Sequence, residues 1–119
     1  KTAYRLRLLD TSAACHMPDV LEMPYRPPLQ DGYEAEEKAY TYRLAGPTCL
    51  AGDVIGDYSF AEPVQKEVIY SHLKIWQSTR WSKNNTFNGM RLPAIVLEDK
   101  DGECWVVRQF GYEDFKMRL

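Results

Sequence analysis

Apolar and polar residues alternate along much of this chain with the period of two that a strand with one buried face requires. Tyr4-Arg5-Leu6-Arg7-Leu8 alternates in this way and predicts a half-buried strand. Lys38 to Leu44 places Tyr40, Tyr42 and Leu44 on one face and predicts a second. Lys66 to Leu73 is a further strand candidate. Leu92 to Leu97 and Glu103 to Phe110 flank the turn residues Asp99-Lys100-Asp101-Gly102 and predict a hairpin. Asp10 to Ala14 is small and polar and is expected to be a loop. Pro18, Pro24, Pro27 and Pro28 interrupt the next stretch, so Val20 to Met23 is expected to be only a short extended piece. Gln30-Asp31-Gly32 predicts a turn. Gly46-Pro47 ends the second strand, and Gly52 and Gly56 then punctuate an expected loop holding Asp53 and Asp57. Tyr112 to Leu119 is amphipathic but has room for only one or two helical turns. Short strands separated by regular turn signals predict a mainly β domain, a barrel or sandwich.

Composition narrows the class. At 119 residues the chain has room for one domain. Hydrophobic residues make up 45% and charged residues 27%, a globular balance. The formal charge of −2 counts against a general nucleic-acid binder, which carries a basic excess. No apolar run approaches the ~18 residues of a membrane span, and the chain does not open on a secretory signal pattern. Cys15, Cys49 and Cys104 are scattered and form no CxxC, which fits a reducing, cytoplasmic setting and no zinc site. Cys15 and His16 are adjacent, and neighbours in a strand point to opposite faces, so no metal is expected there. Glu98, Asp99, Asp101 and Glu103 lack the spacing of a calcium loop and read as a solvated turn. Asn84-Asn85-Thr86 matches a glycosylation sequon without a secretory context. The first residue is Lys1, so the expectation is a processed start or a piece of a longer protein.

The densest chemistry lies in Gly46-Pro47-Thr48-Cys49-Leu50-Ala51-Gly52-Asp53, where a strand runs into a turn that presents a thiol and, four residues on, a carboxylate. Scaffolds place reactive groups on such loops. A cysteine there can be a nucleophile or a proton donor. The plainer reading from spacing alone is a buried structural cysteine, with Asp53 capping a turn.

The same stretch, continued through Val54-Ile55-Gly56-Asp57-Tyr58-Ser59-Phe60, resembles the hallmark of the carboxynorspermidine (carboxyspermidine) decarboxylases. These are fold-type III, pyridoxal-phosphate-dependent enzymes. Asp10 to Pro27, Phe87-Asn88-Gly89 and Phe110 to Phe115 are similar to further blocks of that family, so the resemblance covers most of residues 9–119. It implies a C-terminal β-domain spanning 1–119, with the N-terminal (β/α)8-type barrel, its Schiff-base lysine and most phosphate contacts absent. It implies a homodimer in which Cys49 reaches the partner's site as proton donor. Asp53 would shape the loop or meet substrate amines. Tyr25 and Arg26, in the second block, are weaker candidates for substrate contact. Related decarboxylases carry an acidic residue directly after the cysteine. Leu50 stands there in this chain, so a longer, triamine-like polyamine would be read elsewhere.

The chain departs from the family at residues 74–82, where a block carrying a cofactor-contacting tyrosine is expected and Thr79 stands in its place. Residues 74–82 can be encoded so that a start one base earlier reads Glu-Asp-Met-Ala-Glu-Tyr-Thr-Met-Val, which matches the family block. The expectation is a frameshifted segment with compensating indels near Leu73 and Lys83, which would also account for Trp76 and Trp81. A different class of reading is a small β-barrel that stacks single-stranded nucleic acid on Trp76, Trp81 and Phe87 beside Arg80 and Lys83. A degenerate product without function is the third.

Overall fold

The computed structural model describes residues 4–23, 25–29, 31–65 and 84–119. The strand candidate at Lys66 to Leu73 and the divergent segment 74–82, with Thr79, Trp76, Trp81 and Arg80, lie outside the described residues, as does Lys83.

The fold is mainly β, as the alternation predicts. Strands β1 (Arg5–Leu8), β2 (Tyr40–Ala45) and β3 (Val54–Phe60) form one sheet in the order β1-β2-β3. β1 runs parallel to β2, and β2 antiparallel to β3. Strands β4 (Ile95–Glu98) and β5 (Cys104–Arg108) form a separate antiparallel hairpin. Its turn is as expected: Asp99 Oδ1 accepts from the amides of Asp101 at 2.8 Å and Glu103 at 3.0 Å, and Gly102 takes a φ of 82°. Helix α3 (Tyr112–Lys116) follows, with the Asp114 side chain accepting from the Gly111 amide.

The core lies on one face of the three-stranded sheet. Tyr42, Leu44, Ile55, Tyr58 and Phe60 pack there against Ala13, Met17, Val20 and Val64. Buried tyrosines need a partner for the hydroxyl. Tyr58 donates to the Pro27 carbonyl at 2.6 Å, and Tyr42 accepts from the Val64 amide at 3.3 Å.

Four expectations are corrected. Asp10 to Ala14 is not all loop, because helix α1 (Ala13–His16) begins within it. Ser12 caps that helix by accepting from the Cys15 amide, which makes the polar residues a helix start. Val20 to Met23 is not extended, because helix α2 (Asp19–Glu22) occupies it and Pro18 sits at its start with φ −61°. A proline lacks only an amide that a helix start leaves unpaired. Gly56 and Asp57 belong to β3, not to a loop. Asp57 stands opposite Arg43 and pairs with it at 2.8 and 2.9 Å, while the Arg26 side chain crosses the face left open at Gly56. Finally, the face of β1 that turns inward is Arg7, whose guanidinium lies 4.8 Å from the Tyr42 ring. Leu6 and Leu8 are exposed. Val96, Leu97, Trp105, Val106 and Val107 of the hairpin are exposed as well.

Candidate active site

The Gly46–Asp53 loop closes on itself. The Gly46 amide donates to the Asp53 carbonyl at 2.8 Å, and the Asp53 amide donates to the Leu50 carbonyl at 2.9 Å. The strand register shifts between Leu44 and Ala45, which bends β2 as it enters the loop. Asp53 is buried at 2% exposure, yet its carboxylate is fully engaged. It accepts from Thr48 Oγ1 at 2.6 Å and the Thr48 amide at 3.2 Å within the loop. It also accepts from Ser12 Oγ at 2.9 Å, the Ala13 amide at 2.7 Å and the Ala14 amide at 3.2 Å across the fold. Burial pushes the Asp53 carboxyl up, but the hydrogen bonds from Thr48, Ser12 and the backbone outweigh it and hold the group below its ordinary range. One ionised side chain thus ties the residue before Cys49 to the start of α1.

A third segment docks on the same helix. Asn85 donates through its amide to the Cys15 carbonyl and through Nδ2 to the Ala14 carbonyl, both at 2.9 Å. Cys15 Sγ donates to the Phe87 carbonyl at 3.3 Å. His16 Nδ1 accepts from the Ser12 amide at 3.1 Å, which leaves the ring proton on Nε2 to donate to the Arg91 carbonyl at 3.0 Å. Burial lowers the His16 pKa, more than the Arg91 carbonyl and nearby carboxylates raise it. Burial likewise pushes the Cys15 thiol up, as in a structural cysteine of the core. Between these anchors the chain makes a single 3-10 turn, Phe87–Gly89, with Asn88 at φ 57° and Gly89 at φ 71°. Asn88 Nδ2 donates to Cys49 Sγ at 3.0 Å. Beyond it, Gly89, Met90, Arg91 and Leu92 line a cavity of about 270 Å³ together with Phe110 and Tyr112. That cavity joins the Asn-Gly block to the closing aromatic block.

Cys49 is exposed, and Asp53 lies beneath its loop. Tyr25 and Arg26 are engaged with other partners. The Tyr25 hydroxyl donates to Asp19 Oδ2 at 2.9 Å. Arg26 pairs with Glu34, donates to the Tyr33 carbonyl at 3.0 Å and stacks 4.7 Å from the Tyr58 ring. Thr79 lies outside the described residues. Ser12, Thr48, His16 and Asn88 carry the site's geometry but were not singled out for it from sequence. Only the Asn-Gly dipeptide, which favours left-handed turns, offered a signal. Among the described residues no group of three or more His, Cys, Asp or Glu could hold a metal ion. Among them no helix is long and apolar enough to cross a membrane.

Comparison with known proteins gives three kinds of match. Residues 3–73 match the family model of the pyridoxal-dependent decarboxylase C-terminal sheet domain. A carboxyaminopropylagmatine decarboxylase of Synechocystis is 42% identical over 94% of this chain and 29% of its own length. A carboxynorspermidine/carboxyspermidine decarboxylase of Campylobacter jejuni is 34% identical over 96% of this chain and 32% of its own. The crystal structure of a carboxynorspermidine decarboxylase of Campylobacter jejuni, complexed with norspermidine, superposes with a TM-score of 0.77 at 31% identity. It is covered to 35%, and this chain to 100%. The chain spans about a third of the length of the curated relatives it matches.

Proposed function

The chain belongs to the pyridoxal-dependent decarboxylases, as their C-terminal sheet domain, and on that premise we propose that Cys49 is the proton donor of a carboxylated-polyamine decarboxylase. The carrying observation is an exposed thiol on a loop that a buried carboxylate locks to the fold. Pyridoxal phosphate, when bound, takes up the electron pair released as CO2 leaves. Holding the cofactor falls to the (β/α)8-type barrel, and the share of this domain is a positioned acid. That share fits: a thiol that is exposed and held in place can meet a reacting carbon.

The proton sits on Sγ. In the transfer the S–H bond breaks, a C–H bond forms where the carboxylate was, and the thiolate regains a proton from water. Asp53 positions the loop, since both its oxygens are committed within the chain. Leu50, exposed beside Cys49, offers no charge to a short diamine, which favours a substrate whose amines are read farther away. The substrate class is a triamine-like polyamine bearing an amino-acid carboxylate, carboxynorspermidine or carboxyspermidine. The 42% identity to the Synechocystis protein favours carboxyaminopropylagmatine as a second candidate. Exposed Leu6, Leu8, Trp105 and Val106 fit a surface covered by the barrel or by the partner of a cytoplasmic homodimer. The nucleic-acid reading rests on Trp76, Trp81, Arg80 and Lys83, which lie outside the described residues.

The test joins this domain to its barrel and assays CO2 release from each of the three substrates. Activity on one of them, with Cys49→Ala releasing CO2 but forming less intact polyamine, is the expected result. Undiminished product per CO2 in Cys49→Ala would overturn the assignment.

A further inference from the structure

We propose that Asn88 is the positioning residue for Cys49, seating the sulfur through its carboxamide and leaving the S–H proton free for delivery. The inference rests on the reading of Cys49 as proton donor. Asn88 Nδ2 donates to Sγ, so the sulfur is an acceptor in this contact and its own hydrogen points elsewhere. A donated hydrogen bond strengthens as the acceptor gains negative charge. The contact is therefore worth more once the proton has left than before, which is the condition for lowering the barrier to transfer.

The backbone is arranged around this contact. Asn88 and Gly89 take successive left-handed conformations, which among ordinary residues asparagine tolerates best. The turn is pinned by Asn85 and Phe87 on one side and Arg91 on the other, all to α1. The start of α1 is held by Asp53, whose carboxylate also holds Thr48 beside the cysteine. Donor and acceptor, 39 residues apart, are thus referred to one short helix. A surface amide brushing a thiol by chance would need none of these anchors.

The test uses the full-length protein with its barrel and cofactor. Asn88→Gly suits the left-handed backbone and removes only the carboxamide; Asn88→Asp keeps size and conformation but has no proton to donate to sulfur. Two quantities are read: intact polyamine formed per CO2, and the rate of iodoacetamide alkylation of Cys49 relative to exposed Cys104. Both variants are expected to lower kcat and the product ratio with KM within about twofold. Cys49 alkylation should slow about threefold or more against Cys104. Wild-type values of both readouts in both variants overturn the role of Asn88. If Cys49→Ala loses product fidelity while the Asn88 variants do not, Asn88 alone is excluded. If Cys49→Ala keeps fidelity, the proton-donor reading fails and the role of Asn88 in it falls with it.

Discussion

Gly46 and Asp53 approach so closely that Gly46 has no room for a side chain. The Gly46 amide meets the Asp53 carbonyl, and a Cβ on Gly46 would lie 2.7 Å from both the Asp53 carboxyl carbon and Ser12 Cα. One of these obstacles is backbone, so it cannot swing away. Gly46→Ala is expected to lower stability by ~1–3 kcal/mol, the range for overpacking a filled interior. Urea unfolding measures it, and an unchanged midpoint would contradict this close approach.

Asp53→Asn should cost ~2–3 kcal/mol, because an amide presents hydrogens to the donors of Ser12, Ala13 and Thr48. The pH dependence carries a sign. The folded carboxyl is held below its ordinary value, so its contribution is full above the unfolded pKa of ~4 and fades as the pH falls through the lower folded value. Acid titration of stability in Asp53→Asn should therefore have a flatter limb below pH ~4 than the parent. Parallel limbs would argue against an ionised Asp53.

His16 acts over a different range. Its folded pKa lies below the ordinary 6.5, so just below that pH the unfolded chain binds more protons and stability rises with pH. Acidification from about pH 7 to 5 should destabilise the parent, and His16→Gln should weaken that dependence. Stability curves of equal slope in the two proteins would show that another group governs this window.

How much of this was legible in the sequence follows from the reach of each interaction. β2 and the β4–β5 hairpin are set by residues close in sequence, and alternation with a turn signal sufficed for them. α1 is set by Ser12 capping locally and by Asp53, 40 residues from Ala13. No local pattern announces that second partner, so the segment read as a loop. Gly56 read as punctuation because its purpose, room for the Arg26 side chain, is invisible without the fold. Cys49, Asp53 and the Phe87-Asn88-Gly89 block are legible as motifs, whereas the contact between Asn88 and Cys49 is visible only in the fold.

The three thiols should separate kinetically. Cys49 and Cys104 are exposed and Cys15 is buried. An aromatic disulfide reagent should titrate two thiols promptly in the native chain, and the third only on unfolding. Prompt reaction of all three would place Cys15 outside the core.

The segment 74–82 carries a prediction of its own. Replacing it with Glu-Asp-Met-Ala-Glu-Tyr-Thr-Met-Val should raise stability by ~1–3 kcal/mol and improve cofactor retention in the full-length protein. Thermal melts of the two versions measure the first. Equal midpoints would count against a frameshift, and codons that cannot be re-read in this way would exclude it.

The Cys49 site is joined by contacts spanning 39 residues between Cys49 and Asn88 and 75 between His16 and Arg91. Long closures cost chain entropy before any contact compensates for it, so such regions order late in folding. The hairpin at 95–108 closes over a handful of residues and can form early. A nascent chain leaving the ribosome can therefore tie the Cys49 loop to α1 once residue 53 has emerged, whereas the Cys49 sulfur has no Asn88 carboxamide to meet until residue 88 has followed.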